Sequence, residues 1–257
     1  MKLGHITAYF DVAQLTLYLF FIFFIGLLFY LRREDRREGY PLFSEPSNTY
    51  RPEGFMFIPP PKVFKLPHGG TYSAPNKPDE RPMRAEKVAG FPGAPFAPTG
   101  DPMLAAVGPG SYAERANQPD MTHEGQVKIV PMRVATGYAV SEKDPDPRGM
   151  ALIGADKGEA GTITDIWVDR SECIIRYLEA NVGGRRVLVP MTFAKVKRGN
   201  VRNPGQVVVH ALMSDQFAQV PALANADQVT LLEEDKVCAY YGAGTLYATP
   251  KRAEPLL

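Results

Sequence analysis

The 257-residue chain is poor in the residues that build most catalytic and metal centres. Its two cysteines, Cys173 and Cys238, are too few for a disulfide framework and form no CxxC pair. Four histidines, His5, His68, His123 and His210, are scattered without metal-ligand spacing. The formal net charge is +1, whereas a general nucleic-acid binder is markedly basic. No GxSxG, HExxH, Walker A or GxGxxG motif occurs, and the GAGT at Gly242 to Thr245 is too short for a phosphate loop. No constellation for a hydrolase or a nucleotide enzyme is present, and no catalytic residue is assigned.

What the chain does have is one long hydrophobic run. Val12 to Leu31 carries no charge, and at ~1.5 Å of rise per residue it spans roughly 30 Å, the thickness of a hydrocarbon core. No polar stripe follows Thr16, so a transmembrane helix is expected rather than a buried globular one. Asp11 stands where an N-cap belongs. Arg32, Arg33, Arg36 and Arg37 follow the span and Gly39 and Pro41 end the helix, which predicts the N-terminus outside and the rest of the chain inside. Tyr30, Arg32, Arg33, Arg36 and Arg37 are the residues expected at the lipid headgroups. A secretory signal peptide would need a small-residue cleavage site, and arginine stands there instead.

Seventeen of the 24 prolines lie between Pro41 and Pro131. Proline excludes long helices and central strands there. Phe55, Phe57, Ile58, Val63, Phe64, Leu66, Phe91, Phe96 and Tyr112 recur among them, more apolar anchors than a free linker needs, so the stretch reads as an ordered strap lying on another surface. After Val127 come short β-branched runs separated by turn signals, including KIVPMRVAT, GTITDIWVDR, CIIRYLEANV, RRVLVPMTFAKVKR and QVVVHALM. Their spacing predicts a small antiparallel barrel or sandwich, although Ile163 and Trp167 share a face with Asp165 and Asp169, which leaves the register open. Thr230 to Glu233 is a capping box that opens a C-terminal helix. The expected divisions are a tail at 1–11, the span and its extension at 12–38, the strap at 39–131 and the β-rich domain with its helix at 132–257.

Two polar clusters stand out. DIWVDRSE places Asp165, Asp169 and Glu172 on a strand and the turn after it, where partial desolvation would make their protonation interdependent. PDMTHEGQVK holds Asp120, His123, Glu124 and Lys128, and a histidine beside carboxylates can relay protons near neutral pH. A solvated strand end and a polar turn explain the same residues.

YLRREDRREGYPL after the span, APTGDPM, VGPGSYAERA, DPRG, TDIWVDRSE, RYLE, VTLLEEDKV and YATPKRAEPLL occur in order along essentially the whole chain. Together they resemble the H subunit of the photosynthetic reaction centre of purple bacteria. That resemblance implies a single N-terminal transmembrane α-helix, an extended Pro/Gly-rich membrane-surface segment, and a cytoplasmic β-rich domain of the PRC-barrel type with a short C-terminal helix. It implies a non-enzymatic subunit of the photosynthetic membrane that caps the cytoplasmic face of the L and M subunits. Those partners carry bacteriochlorophyll, bacteriopheophytin, quinones and non-haem iron, and phospholipids, a cytochrome subunit or antenna polypeptides are the remaining candidate neighbours. It further implies that Glu172, with Asp169 beside it, lies on a proton path to the secondary quinone. The family's proton-entry turn is only loosely matched at Thr122, His123, Glu124 and Gln126, and a further acidic position is Gln228 here, with Asp227 before it. Two roles follow, proton conduction and a stabilising lid over the quinone region. PRC-barrel domains also resemble a module of a ribosome-maturation factor, so the alternative is a membrane-tethered adaptor in RNA or ribosome maturation, against which the near-zero net charge argues.

Overall fold

A computed structural model describes residues 11–51, 54, 57–67, 69–76, 80–200 and 204–253. The tail before Asp11, the anchor Phe55, and His5 and His68 lie outside the described residues. The chain divides into two compact units, 1–80 and 81–257, so the division falls inside the stretch that the sequence presents as one strap.

The first unit is led by α1 (Val12–Glu34), one helix long and apolar enough to cross a membrane, with no residue of it buried by the rest of the chain. Asp11 caps it as expected, its Oδ1 accepting from the Gln14 amide at 2.7 Å. A short 3-10 turn, Asp35–Arg37, tightens the end, and Gly39 at φ +73° releases the chain. Two small antiparallel hairpins follow, β1 (Phe43–Ser44) with β2 (Thr49–Tyr50), and β3 (Lys62–Lys65) with β4 (Thr71–Ala74). Their proline-rich surroundings permit only such short ladders.

The second unit begins with one more hairpin, β5 (Ala85–Lys87) with β6 (Phe96–Pro98). It then builds a seven-stranded sheet from β7 (Ile129–Pro131), β8 (Ala151–Ile153), β9 (Glu159–Asp169), β10 (Ile174–Val182), β11 (Arg185–Pro190), β12 (Ala194–Lys197) and β13 (Gln206–Val209). The order is β11-β10-β9-β8-β13-β12, with β7 also paired to β9. All pairings are antiparallel except β13 with β8. Gly183 and Gly184, both at positive φ, make the tight β10–β11 turn. A 3-10 turn at Met191–Phe193, after Pro190, splits RRVLVPMTFAKVKR into two strands.

The long strand β9 organises the domain. One edge pairs with β10 along its length, while the other is shared, β8 taking its first half and β7 its second. Its second half is buried on both faces, Ile166 and Trp167 completely, which is why no clean alternation is visible there. Behind the sheet lies α2 (Leu231–Tyr247), opened by the expected capping box: Thr230 Oγ1 accepts from the Glu233 amide at 3.1 Å, and Glu233 Oε2 accepts from the Thr230 amide at 2.8 Å. Tyr241, wholly buried, donates its hydroxyl to the Leu188 carbonyl at 3.0 Å and so ties the helix to β11. The core, with Trp167, Tyr241, Phe217, Leu152 and Leu178 at its centre, lies between this helix and the strands.

Candidate functional site

The two sequence clusters are rearranged rather than simply confirmed. β7 lies against the end of β9, with Ile129 opposite Asp169 and the Arg170 amide donating to the Lys128 carbonyl at 2.9 Å. The preceding loop closes on itself, the Lys128 amide donating to the Asp120 carbonyl at 2.8 Å. Lys128 is thereby delivered to the turn that follows β9. Its Nζ stands 3.5 Å from Asp120 Oδ2, 3.6 Å from Asp169 Oδ2 and 3.9 Å from Glu172 Oε1. Three carboxylates surround one ammonium. Burial pulls the Lys128 pKa down, but the charges of Asp169, Asp120 and Glu172 outweigh it and hold it above its ordinary value.

Asp169 is the anchor of this group, its side chain 1% exposed. Its Oδ1 accepts from the Ser171 amide at 2.9 Å and the Glu172 amide at 3.1 Å, an Asx-type turn that Cys173, at φ +54°, completes. Its Oδ2 is buried without a hydrogen-bond partner, 3.6 Å from the Lys128 ammonium. Asp120 and Glu172 are about half exposed, so the site runs from a dry carboxylate to wet ones within a few ångströms.

Asp165 is not part of it. A β-bulge leaves Thr164 without a partner between the pairs Glu179↔Asp165 and Ala180↔Ile163, and so re-aims this end of the strand. Asp165 therefore faces Glu179 directly across the ladder, a like-charge pair that is stable only with a cation between its members. Arg133 supplies the cation, its Nη1 lying 2.9 Å from Asp165 Oδ2 and 3.0 Å from Glu179 Oε2. Asp227 adds a third carboxylate at 3.0 Å. Trp167 Nε1 donates to Glu179 Oε2 at 3.1 Å, and Thr164 Oγ1 to Oε1 at 3.2 Å. The single tryptophan is thus tied to an ionic cluster whose Arg133, Asp165 and Glu179 line an open cleft of ≈610 Å³ together with Arg148 and Arg186.

His123 and Glu124 sit exposed at the tip of the 122–126 loop and line another open cleft with Tyr138, Arg170 and Ser171. The structure brings Asp120, Asp169, Glu172 and Lys128 together, leaves His123 and Glu124 at a neighbouring rim, and moves Asp165 to a separate group. Among the described residues no group of three or more His, Cys, Asp or Glu side chains is arranged to hold a metal ion.

Sequence reasoning missed a third polar site. Glu234, in the first turn of α2, is buried and accepts the Tyr177 hydroxyl at 2.7 Å, with Arg176 at 3.8 Å and Cys238 packed beside the same phenol. Burial pushes the Glu234 carboxyl up despite the Tyr177 hydrogen bond and the Arg176 and Arg115 charges, and it pushes the Tyr177 phenol up as well. The only signal in the sequence was Glu233 and Glu234 as neighbours, one of which had to face the sheet.

A helix long and apolar enough to cross a membrane, a strap with exposed aromatic rings and a sheet carrying a carboxylate–lysine site fit a membrane-anchored β-domain protein. A family model described as the photosynthetic reaction centre H-chain N-terminal region matches residues 4–134, and one described as the PRC-barrel domain matches residues 140–203. The chain belongs to the photosynthetic reaction-centre H-chain family. The expected PRC-type barrel and C-terminal helix are present, as is one membrane-length apolar helix among the described residues.

Proposed function

We propose that this H-chain caps the cytoplasmic face of the L and M subunits and passes protons from the cytoplasm towards the secondary quinone on those partners. The pigments, quinones and non-haem iron belong to the partners, so this chain has no catalytic site of its own. The arginines that follow α1 favour an orientation with the N-terminus in the periplasm and the β-domain in the cytoplasm.

One observation carries the reading: Asp120, Asp169 and Glu172 converge on Lys128 Nζ within 3.5–3.9 Å, from solvent-facing to fully buried. Reduction of a quinone to a quinol consumes two electrons and two protons, and a capped site receives protons only along titratable groups and waters. Lys128 stands within 4 Å of all three, so the carboxylates form one connected group around its ammonium. Asp120 and Glu172 are the two half-exposed members, and Glu172 is the one that the resemblance sets nearest the quinone, so it passes protons on from the cluster. Asp169, with one oxygen locked by two amides, fixes the turn that aims Glu172. In Glu172→Gln, flash-induced second electron transfer and the coupled proton uptake both slow; unchanged rates remove Glu172 from the path.

A second role is supported by the exposed rings of the strap. Phe91 and Phe96 are both about half exposed, apolar surface suited to covering a partner. Phe91→Ala with Phe96→Ala lowers complex yield and quinone occupancy while leaving the proton-coupled rate of the assembled fraction intact.

A further inference from the structure

Strand β7 has a cation just beyond each end. Lys128 precedes it and enters the Asp120, Asp169 and Glu172 group; Arg133 follows it by two residues and enters the Asp165, Glu179 and Asp227 group. Both groups stand on one neighbour, because β9 carries Asp165 and Asp169 four residues apart. Between the two cations the chain is apolar and buried, through Ile129, Val130, Pro131 and Met132.

Little else fixes the register of so short a strand. β7 is three residues long, pairs with no strand but β9 among the described residues, and ends on a proline that has no amide to donate. Apolar burial is non-directional and does not choose between registers. A slip by one residue moves the chain ~3.3 Å along β9 and turns its side chains to the other face. That displacement matches the 3.5–3.9 Å separations between Lys128 Nζ and its three carboxylates, so it takes the group apart.

Arg133 is tied at more points than Lys128. Its backbone amide donates to Asp165 Oδ2 at 3.3 Å, and its Nη1 reaches the same oxygen at 2.9 Å and Glu179 Oε2 at 3.0 Å. Its Nε donates to Asp227 Oδ1 at 3.0 Å and its Nη2 to the Ala226 carbonyl. A planar guanidinium with fixed donor directions holds one place, whereas an ammonium on a flexible stem meets its partners by distance alone. Asp165 and Glu179 face each other across the ladder with side chains 10% and 5% exposed, so they hold the cation between them firmly.

We infer that Arg133 is a positioning residue for the carboxylate–lysine site: it fixes the register of β7 on β9 and thereby holds Lys128 among Asp120, Asp169 and Glu172. Asp165 and Glu179 serve the site as its anchor, at the opposite end of β7. The effect on proton delivery rests on the function proposed above; the effect on geometry does not.

Two measurements test this. In the detergent-solubilised full-length chain, a water-soluble carbodiimide joins an ammonium to a carboxylate where the two already touch, and peptide mass spectrometry reads the Lys128–Glu172 and Lys128–Asp120 amides. Arg133→Met lowers both by roughly fivefold, and Arg133→Lys, which keeps a cation between Asp165 and Glu179, restores most of the yield. In the assembled complex, flash-induced second electron transfer slows in Arg133→Met about as much as in Lys128→Met, and the double variant is no slower than Lys128→Met alone. Unchanged cross-links in Arg133→Met overturn the inference, as do losses of rate that add in the double variant. Lowered cross-links together with a wild-type rate in Lys128→Met leave Arg133 as the positioning residue and overturn the proton path instead. Where Arg133→Met does not fold, Asp165→Asn and Glu179→Gln added to it remove the stranded charges and keep the acceptors for Thr164 and Trp167. That triple variant also loses the cross-links, and retained cross-links in it overturn the inference equally.

Discussion

Removing the cation at the centre of the carboxylate group tests the site most directly. Lys128→Met keeps the length and apolar stem of the side chain but deletes the charge that lies 3.5–3.9 Å from Asp120, Asp169 and Glu172. Asp120 and Glu172 are about half exposed, so solvent screens their loss and each contributes under ~1 kcal/mol. Asp169 decides the outcome. At 1% exposure, with Oδ2 already lacking a hydrogen bond, it becomes an uncompensated buried charge. Breaking a buried pair costs ~3–5 kcal/mol, and because the lysine is itself 21% exposed the lower end applies, about 3 kcal/mol. For a chain of this size that is a fall of roughly 6–12 °C in Tm. Asp169→Asn in the same background keeps the Oδ1 acceptor for the Ser171 and Glu172 amides and removes the stranded charge, so the double variant recovers about 2 kcal/mol of the loss. The assay is thermal unfolding of the detergent-solubilised chain followed by the fluorescence of Trp167, the sole tryptophan, two residues from Asp169. A Lys128→Met protein that melts within a degree of wild type, or a double variant no more stable than the single one, would refute the electrostatic account of this site.

Glu234→Gln tests the buried carboxyl of α2. Because burial raises the folded-state pKa above that of the unfolded chain, the native state binds this proton more readily, so the stability tied to it is complete below the unfolded pKa and is lost as pH rises through the raised value. The variant is therefore at least as stable as wild type at pH 8 with an advantage that shrinks towards pH 5, read from urea midpoints; a deficit that ignores pH would count against it. Thr230→Ala removes the acceptor for the Glu233 amide and lowers stability by about 1 kcal/mol, a drop of a few degrees in Tm. Gly161→Ala drives a methyl group into the Asn181 carbonyl oxygen where β9 and β10 approach, and a backbone obstacle cannot yield as a side chain can. It costs more than about 2 kcal/mol, seen as a lower Tm, and normal stability would show that the close approach is not needed.

What the sequence settles by itself is local. A run of apolar residues needs no partner to declare its length, so the span and its Asp11 cap are legible directly. The same holds for the capping box at Thr230, the glycine pair between β10 and β11, and the proline density that limits the strap to small hairpins, because caps and turns depend on residues a few positions apart. Side-chain neighbours across the sheet do not obey that rule. Asp165 and Asp169 are four residues apart in one motif, yet a bulge and the arrival of Arg133 assign the first to Glu179, while β7 carries Lys128 to the second. Glu233 is marked by its capping-box spacing from Thr230, but that Glu234 is buried under Tyr177 is decided only when α2 lies against the sheet. Spacing along the chain fixes backbone hydrogen bonds; only the folded sheet decides which charges lose their water, and that loss is what turns a carboxylate into a site.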